Sequence, residues 1–254
     1  MRCLYMSGAG NDFMVVDGRG QNLNYEQLSQ KLCAMTNADG FMALDVSDKA
    51  DFRLHYYNAD GSRGEMCGNG SRCICKFAYE LGIVGDTMTV ETDAGIVYGW
   101  YLGGEQYRIR LNLPGLVDLD RRPDAAYVEL GDPGIPHSVT QVPGFSWKDK
   151  ESLRPKFLDL RQDKVFPKGV NVNIYCFLLE DTVQILTFER GVEDFTLACG
   201  TGSAAVAVVC YYQGTLPGNR LYVENPGGTL EISIEEDGKN ITALYLEGPA
   251  EYKQ

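Results

Sequence analysis

Cys67 and Cys199 each open the same short phrase. Cys67-Gly-Asn-Gly-Ser71 and Cys199-Gly-Thr-Gly-Ser203 begin two segments offset by 132 positions. The segments align without gaps at Cys67/Cys199, Gly68/Gly200, Gly70/Gly202, Ser71/Ser203, Tyr79/Tyr211 and Gly82/Gly214. A thiol ahead of a glycine turn that leads into a helix lies beside unsatisfied backbone N–H groups and the positive end of the helix dipole. That setting shifts a cysteine toward thiolate, below its free pKa of about 8.5. The glycines admit a carboxylate close to the backbone, and the same N–H groups can hold it. Two such turns supply two acid/base thiols and two anion cradles. Thiols on opposite faces of one carbon can invert it, one removing a proton as thiolate and the other returning one as thiol. Donors fixed on the adjacent carboxylate stabilise the planar carbanion between the two steps.

Other chemistries fit less well. A phosphate loop needs G-x-x-x-x-G-K-[ST] or a full G-x-G-x-x-G after a strand, and neither occurs. Cys67, Cys73 and Cys75 lack the C-x-x-C pairing of zinc sites, and there are only two histidines, His55 and His137, so no metal site is expected. Cys3, Cys33, Cys176 and Cys210 stand among apolar neighbours and read as small buried hydrophobes.

The elements that would position the thiols also come in pairs. After Cys67, the residues Ile74, Phe77, Ala78 and Leu81 recur on one helical face, with Gly82 as the C-terminal cap. After Cys199, the run from Ala204 to Tyr212 is apolar all round, as in a helix buried on every side. Val90-Glu-Thr-Asp-Ala-Gly-Ile-Val97 and Val223-Glu-Asn-Pro-Gly-Gly-Thr-Leu230 then follow their helices as matching strand pairs. Alternating strands stop at Gly and Pro near residues 115 and 249. Tyr25–Met35 reads as a short surface helix. Met42–Leu44, Phe52–Tyr57, Val170–Leu179 and Val183–Glu189 read as strands.

A repeat this long fits two homologous domains better than a solenoid. The expectation is an α+β chain of two pseudo-symmetric halves, each a sheet or barrel wrapped around one central helix. Residues 1–116 carry Cys67 and residues 117–254 carry Cys199, with a polar break near Leu116–Pro123. The last strand is free to pack back on the first half. The active site is expected in the cleft between the halves, since ligands favour such interfaces.

At 254 residues the chain is long enough for such a pair of cores. No apolar run reaches the roughly 18 residues of a membrane span, and the N-terminus lacks the apolar core of a secretion signal. A cytoplasmic location without membrane contact is therefore expected. The net charge of −12, with no basic stripe, argues against nucleic acid. Partners reduce to a small-molecule substrate, and a homodimer is left open.

The chain resembles the diaminopimelate epimerases, which belong to a wider group of cofactor-independent amino-acid racemases. The likeness is carried by Met6-Ser-Gly-Ala-Gly-Asn-Asp-Phe13, Tyr57-Asn-Ala-Asp-Gly-Ser62, Glu65-Met-Cys-Gly-Asn-Gly70 and Gly134-Ile-Pro-His137. It continues through Val170-Asn-Val-Asn173, Phe188-Glu-Arg-Gly191, Leu197-Ala-Cys-Gly-Thr-Gly202, Asn225-Pro-Gly-Gly228 and Leu246-Glu-Gly-Pro-Ala250. The resemblance implies epimerisation of LL- to meso-2,6-diaminopimelate, on the route to lysine and peptidoglycan, with no cofactor and no metal. It implies Cys67 and Cys199 as the acid/base thiols, with His137 and Glu189 orienting the α-amino group and tuning them. It implies Gly68, Asn69, Gly200 and Thr201 as donors to the α-carboxylate. Asn11, Asn58, Asn171 and Arg190, with Glu189, would hold the remaining polar groups. Arg190 suits a carboxylate because its fork makes two parallel bonds.

Two departures stand out. Ile135 replaces the asparagine of the family's G-N-P-H, which reaches the distal end of the substrate, and an isoleucine cannot donate that bond. The segment Gly191–Ala198 has Phe195 where an acidic residue is common, and looks one residue longer than in some relatives. Ile135 makes a racemase of another amino acid, on the same fold, the alternative. A non-catalytic thiol protein, either redox sensor or metal binder, is the reading from a different class.

Overall fold

The computed structural model describes residues 3–253, and its contacts divide the chain into two compact units. The first comprises residues 1–110 and 247–254, and the second residues 111–246. The chain combines α-helices with a large set of mixed β-strands.

The first unit runs β1 (Cys3–Gly8), β2 (Asn11–Asp17), α1 (Tyr25–Thr36), β3 (Gly40–Asp45), β4 (Phe52–Asn58), β5 (Arg63–Gly64), α2 (Gly68–Glu80), β6 (Thr87–Thr92), β7 (Gly95–Gly103) and β8 (Gln106–Leu111). β1 and β2 form an antiparallel hairpin, β2 is parallel to β3, β3 antiparallel to β4, β4 parallel to β6 and β6 antiparallel to β7. Each parallel step needs a crossover, and a helix fills it: α1 between β2 and β3, α2 between β4 and β6.

The second unit repeats this order. β9 (Pro114–Arg122) precedes β10 (Ala125–Gly131), β11 (Gly134–Gln141), α3 (Lys150–Gln162), β12 (Asn171–Leu179), β13 (Thr182–Glu189), β14 (Asp194–Thr196), α4 (Gly200–Tyr212), β15 (Arg220–Asn225), β16 (Gly228–Asp237) and β17 (Asn240–Pro249). β10 and β11 are an antiparallel hairpin, β11 is parallel to β12, β12 antiparallel to β13, β13 parallel to β15 and β15 antiparallel to β16. α3 and α4 fill the two parallel crossovers, as α1 and α2 do in the first unit. β17 carries the chain out of the second unit, and β18 (Glu251–Tyr252) pairs with β1.

Each unit has an outer and an inner helix. α1 buries Cys33 against Met14, Val16, Phe41 and Ala43 of its own sheet. Its start is capped by Asn24, whose Oδ1 accepts the Gln27 N–H at 3.1 Å. α3 buries Phe157 and Leu160 against Val172, Ile174 and Phe188. The inner helices are α2, touching β1, β2, β3 and β7, and α4, touching β10, β11, β12, β15 and β16. Every residue of α2 from Gly68 to Ala78 is buried, so the single apolar face expected there is too narrow a description. Strands from both ends of the sheet order press on that helix, and even Arg72 and Lys76 lie inside. α4 is buried from Gly200 to Cys210 save Thr201, as its all-apolar run indicates. Both inner helices close the same way. Gly82 and Gly214 adopt φ of 69° and 68°, and their N–H groups donate to Tyr79 and Tyr211 carbonyls. Only glycine takes that left-handed position without strain.

One sequence expectation needs correcting, and one segment gains an element. The polar break near Leu116–Pro123 is mostly strand: β9 reaches Arg122 and pairs antiparallel with β10 through two bulges. It reads as a break because most of its side chains are exposed or half-buried, which leaves no apolar alternation. The segment Gly191–Ala198 contains β14, with Phe195 opposite Phe188. Phe195 meets the Phe157 and Phe188 rings edge-on, at centroid distances of 4.9 and 5.5 Å, and Arg154 covers its face. An aromatic there anchors the approach to Cys199 on the α3 core.

Candidate active site

Cys67 is the N-cap of α2 and Cys199 the N-cap of α4, each in extended conformation at φ −132° and −125°. Each thus starts the inner helix in the second parallel crossover of its unit. The chain turns in at Cys67 and Cys199, and their carbonyls accept the Ser71 and Ser203 N–H groups at 2.7 and 2.9 Å.

The two thiols are held differently. Cys67 makes no capping bond to its own helix; its Sγ lies 3.5 Å from Asn11 Oδ1 at the start of β2. Asn11 Nδ2 donates to Asp39 Oδ2 at 2.8 Å, which turns its oxygen toward the sulfur. That contact uses the proton of a thiol. Asp39 also accepts the Asp12 N–H at 2.8 Å, so one carboxylate fixes the whole corner. Cys199 Sγ instead accepts the Gly202 N–H at 3.3 Å and lies 3.5 Å from Thr201 Oγ1. That contact uses a sulfur lone pair and favours the charged form.

The other thiols differ. Burial pushes the Cys73 and Cys75 thiols up to about 12 and Cys33 up to about 11, and it also raises Cys3 and Cys210. Burial disfavours the thiolate, and at Cys210 it outweighs the hydrogen bonds from Tyr175 and Thr215. Among the described residues no three His, Cys, Asp or Glu groups lie close enough together to hold a metal ion.

Around Cys67, Gly68 and Asn69 are buried in the first turn of α2. Asn69 Oδ1 accepts from Arg72 Nη2 at 3.2 Å. Arg72 is fully buried, donates also to the Gly68 and Pro249 carbonyls, and makes no ion pair with a carboxylate among the described residues. Burial lowers its pKa to about 10. Asn58, the last residue of β4, is exposed and bonds within its own turn, through Nδ2 to Ser62 Oγ at 2.9 Å and through Oδ1 from Tyr56 OH at 3.2 Å.

Around Cys199, Gly200 is buried and Thr201 half-buried in the first turn of α4. His137 lies in β11, in parallel register with Asn171 at the start of β12. Asn171 Oδ1 accepts the Arg190 N–H at 2.8 Å, so these predicted site residues are directly joined. The exposed Arg190 guanidinium donates through Nη1 to the Lys168 carbonyl at 2.7 Å, so its fork is not held by a protein carboxylate in that bond. Glu189 ends β13, opposite Asp194 of β14. Ile135 stands two residues before His137, opposite Leu130, and 36% of its surface is exposed.

His137 is fully buried, and burial, with the Arg190 charge adding to it, lowers its pKa to about 3. Its Nδ1 faces Asn173 Nδ2 at 3.2 Å. Sequence reasoning named Asn171 but not Asn173, although the two alternate by two along one strand and so point to the same side. Asp39 and Arg72 were also missed. Neither carried a usable signal: Arg72 sits in a helix that also holds Asn69, Ser71, Lys76 and Glu80, and Asp39 lies in the turn between α1 and β3.

The diaminopimelate epimerase family model matches residues 3–106 and 131–253. The chain is 37% identical over 253 residues to the diaminopimelate epimerase of Chlorobaculum tepidum, covering 96% of each chain. It is 36% identical to that of Aquifex aeolicus, covering 93% of this chain and 91% of the other. Among solved structures, a Bacillus anthracis phenazine biosynthesis protein of the PhzF family superposes with a TM-score of 0.77 at 18% identity, over 100% of this chain and 98% of that one. A probable proline racemase from Agrobacterium radiobacter gives 0.72 at 15% identity, over 99% and 92%. At such identities these two likenesses establish the fold alone.

Proposed function

The chain belongs to the diaminopimelate epimerase family, and from that premise we propose that its epimerisation of 2,6-diaminopimelate, a step of lysine biosynthesis, runs through the thiols of Cys67 and Cys199 without a cofactor. The observation that carries the mechanism is the matched placement of the two cysteines. Each is the N-cap of a buried inner helix in the same crossover of the same strand order. The five cysteines whose thiols are pushed up by burial have no such helix-start setting.

In the forward direction a Cys199 thiolate takes the α-proton. The C–H electron pair passes into a carbanion delocalised over the α-carboxylate, and the Cys67 thiol supplies a proton to the opposite face. Roles reverse for the other epimer. The hydrogen-bond contacts suit that division, since Cys67 donates to Asn11 and Cys199 accepts from Gly202. Both thiols must reach one carbon, so the mechanism requires the two units to work on a single substrate. The equal order of elements supports their reading as homologous halves.

The backbone donors of Gly68, Asn69, Gly200 and Thr201 would hold the α-carboxylate, where negative charge accumulates. Asn11, Asn58, Asn171, Glu189 and Arg190 would hold the remaining amino and carboxylate groups. A panel of L-amino acids tests the assignment: LL-diaminopimelate should be converted far faster than lysine, arginine, glutamate or proline. Faster racemisation of any of these would overturn the substrate.

A further inference from the structure

Arg72 is a fully buried positive charge whose hydrogen-bond partners are all neutral. It lies in the second turn of α2, and its side chain turns back toward the helix start, as helical side chains do. There Nη1 donates to the Gly68 carbonyl at 3.5 Å and Nη2 to Asn69 Oδ1 at 3.2 Å, while Nε donates to the Pro249 carbonyl at 3.4 Å. The guanidinium is thus held by the two residues that follow Cys67. Gly8, at the end of β1, closes on the same turn: a Cβ there would lie 2.7 Å from the Asn69 carbonyl oxygen.

A buried cation is costly unless an opposite charge balances it, and an apolar side chain would fill the same space at lower cost. The other charges around the turn are already matched. Asp12 pairs with Lys253, Lys76 pairs with Glu80 and Glu105, and Asp39 accepts from Asn11 and the Asp12 N–H. The ionisable groups whose charge bears on Arg72 are three thiols, those of Cys73, Cys67 and Cys75. Burial pushes Cys73 and Cys75 up to about 12, so both are neutral where Arg72, lowered by burial to about 10, is charged. Cys67 is left to carry the balancing charge, and the reaction gives it one. When Cys67 releases its proton the S–H electron pair stays on sulfur, and Asn11 Oδ1, 3.5 Å away, then faces an anion. A cation at the same turn offsets that repulsion, and in a buried setting it acts strongly. The matching position of the second turn, 132 residues on, is Ala204, which brings no charge. Cys199 Sγ accepts the Gly202 N–H instead.

We infer that Arg72 is a positioning residue for the reaction: held against Gly68 and Asn69, its buried guanidinium supplies the standing positive charge that balances the Cys67 thiolate. Its place in catalysis rests on the two-thiol function proposed above; its effect on the Cys67 thiol does not.

Peptide-resolved labelling with iodoacetamide, on the full-length protein without substrate and over about pH 6 to pH 10, tests the inference. Cys73 and Cys75, both fully buried, stay unlabelled while the fold is intact. Arg72→Met removes the charge and keeps an apolar stem. It should raise the midpoint of Cys67 labelling by about 1 pH unit, an approximately tenfold slower labelling at pH 7, and leave Cys199 unmoved. Arg72→Gln, which still offers a donor to Asn69 Oδ1, should match Arg72→Met and decides the matter if that variant does not fold. Arg72→Lys keeps the charge and should recover most of the wild-type rate. A Cys67 midpoint unmoved in the neutral variants, or an Arg72→Lys shift as large as theirs, would overturn the inference. Turnover of diaminopimelate gives the second arm: kcat should fall about tenfold in the neutral variants and recover in Arg72→Lys. Unchanged kcat beside a shifted Cys67 would overturn the part of Arg72 in catalysis. A wild type that labels as expected yet does not epimerise diaminopimelate would instead count against the proposed function, and would leave the charge balance between Arg72 and Cys67 supported.

Discussion

Gly70 and Gly202 occupy the same place in the two cysteine turns, yet alanine should have unequal effects at the two. At Gly70 a methyl would meet Met42 Sδ at 3.0 Å and Phe13 Cζ at 3.4 Å. A thioether has three rotatable bonds and yields by a few tenths of an ångström at small cost. Alanine also gains up to about 1 kcal/mol over glycine in a helix. Gly70→Ala should therefore shift stability by no more than about 1 kcal/mol in either direction. At Gly202 the methyl would overlap Asn173 Oδ1 and lie 3.2 Å from Thr187 Oγ1. Asn173 cannot swing aside, because it is bound to Thr187, His137 and the carbonyls of Ser138 and Asn171. Overpacking costs about 1–3 kcal/mol, and a buried polar group left unpaired costs about 1–3 more. Net of the helix gain, Gly202→Ala should lose about 1–5 kcal/mol. For a chain of this size that lowers the melting temperature by roughly 2–20 °C. Differential scanning calorimetry of the two variants beside the wild type reads the difference directly. If Gly202→Ala melts no lower than Gly70→Ala, the tight fit of the histidine network against the Cys199 turn is wrong.

Two further outcomes follow from the same geometry. His137 is lowered to about 3 in the folded chain, against about 6.5 unfolded, so the unfolded chain binds a proton there first as pH falls. Stability then drops by about 1.4 kcal/mol per pH unit below roughly pH 6.5, until the folded ring also charges. Denaturant unfolding should show His137→Gln losing about 2 kcal/mol less than wild type between pH 6.5 and pH 5, with His55 common to both; equal slopes would contradict a buried neutral ring. Ile135→Asn restores a donor at a partly exposed position and should lower KM for diaminopimelate about 2- to 10-fold with little change in kcat. An unchanged KM would separate Ile135 from the distal end of the substrate.

The parts of the fold that repeat were legible in the sequence, because two imperfect copies reinforce each other. The helix after Cys199 is an example: its Val-rich run suits a strand equally well, and the alignment with the first copy decides for the helix observed from Gly200 to Tyr212. The strands Phe52–Asn58 and Thr182–Glu189 announced themselves by β-branched and aromatic residues between turn signals. α3 did not, because Pro155 interrupts it and only Phe157 and Leu160 are fully buried. β9 hid because its side chains are largely exposed or half-buried. Within the candidate site, the residues that carry chemical groups on a recognisable motif were found. Their supports were not, since Asp39, Asn173 and Thr187 act through hydrogen bonds to residues 14 to 36 positions away. Polar partners at such separations have no periodicity to betray them. The pairing of Asn171 with Asn173 was the exception, written in strand alternation.

The central claim is that two thiols, one from each copy of the turn, exchange the α-proton of diaminopimelate. Epimerisation in heavy water by the wild type, Cys67→Ala and Cys199→Ala tests it most directly, with deuterium at the α-carbon and the LL-to-meso ratio followed together. The wild type should form meso product carrying deuterium at the inverted centre, and neither variant should interconvert the epimers. Sustained epimerisation by either alanine variant, or wild-type product that retains its original hydrogen throughout, would contradict the two-thiol mechanism.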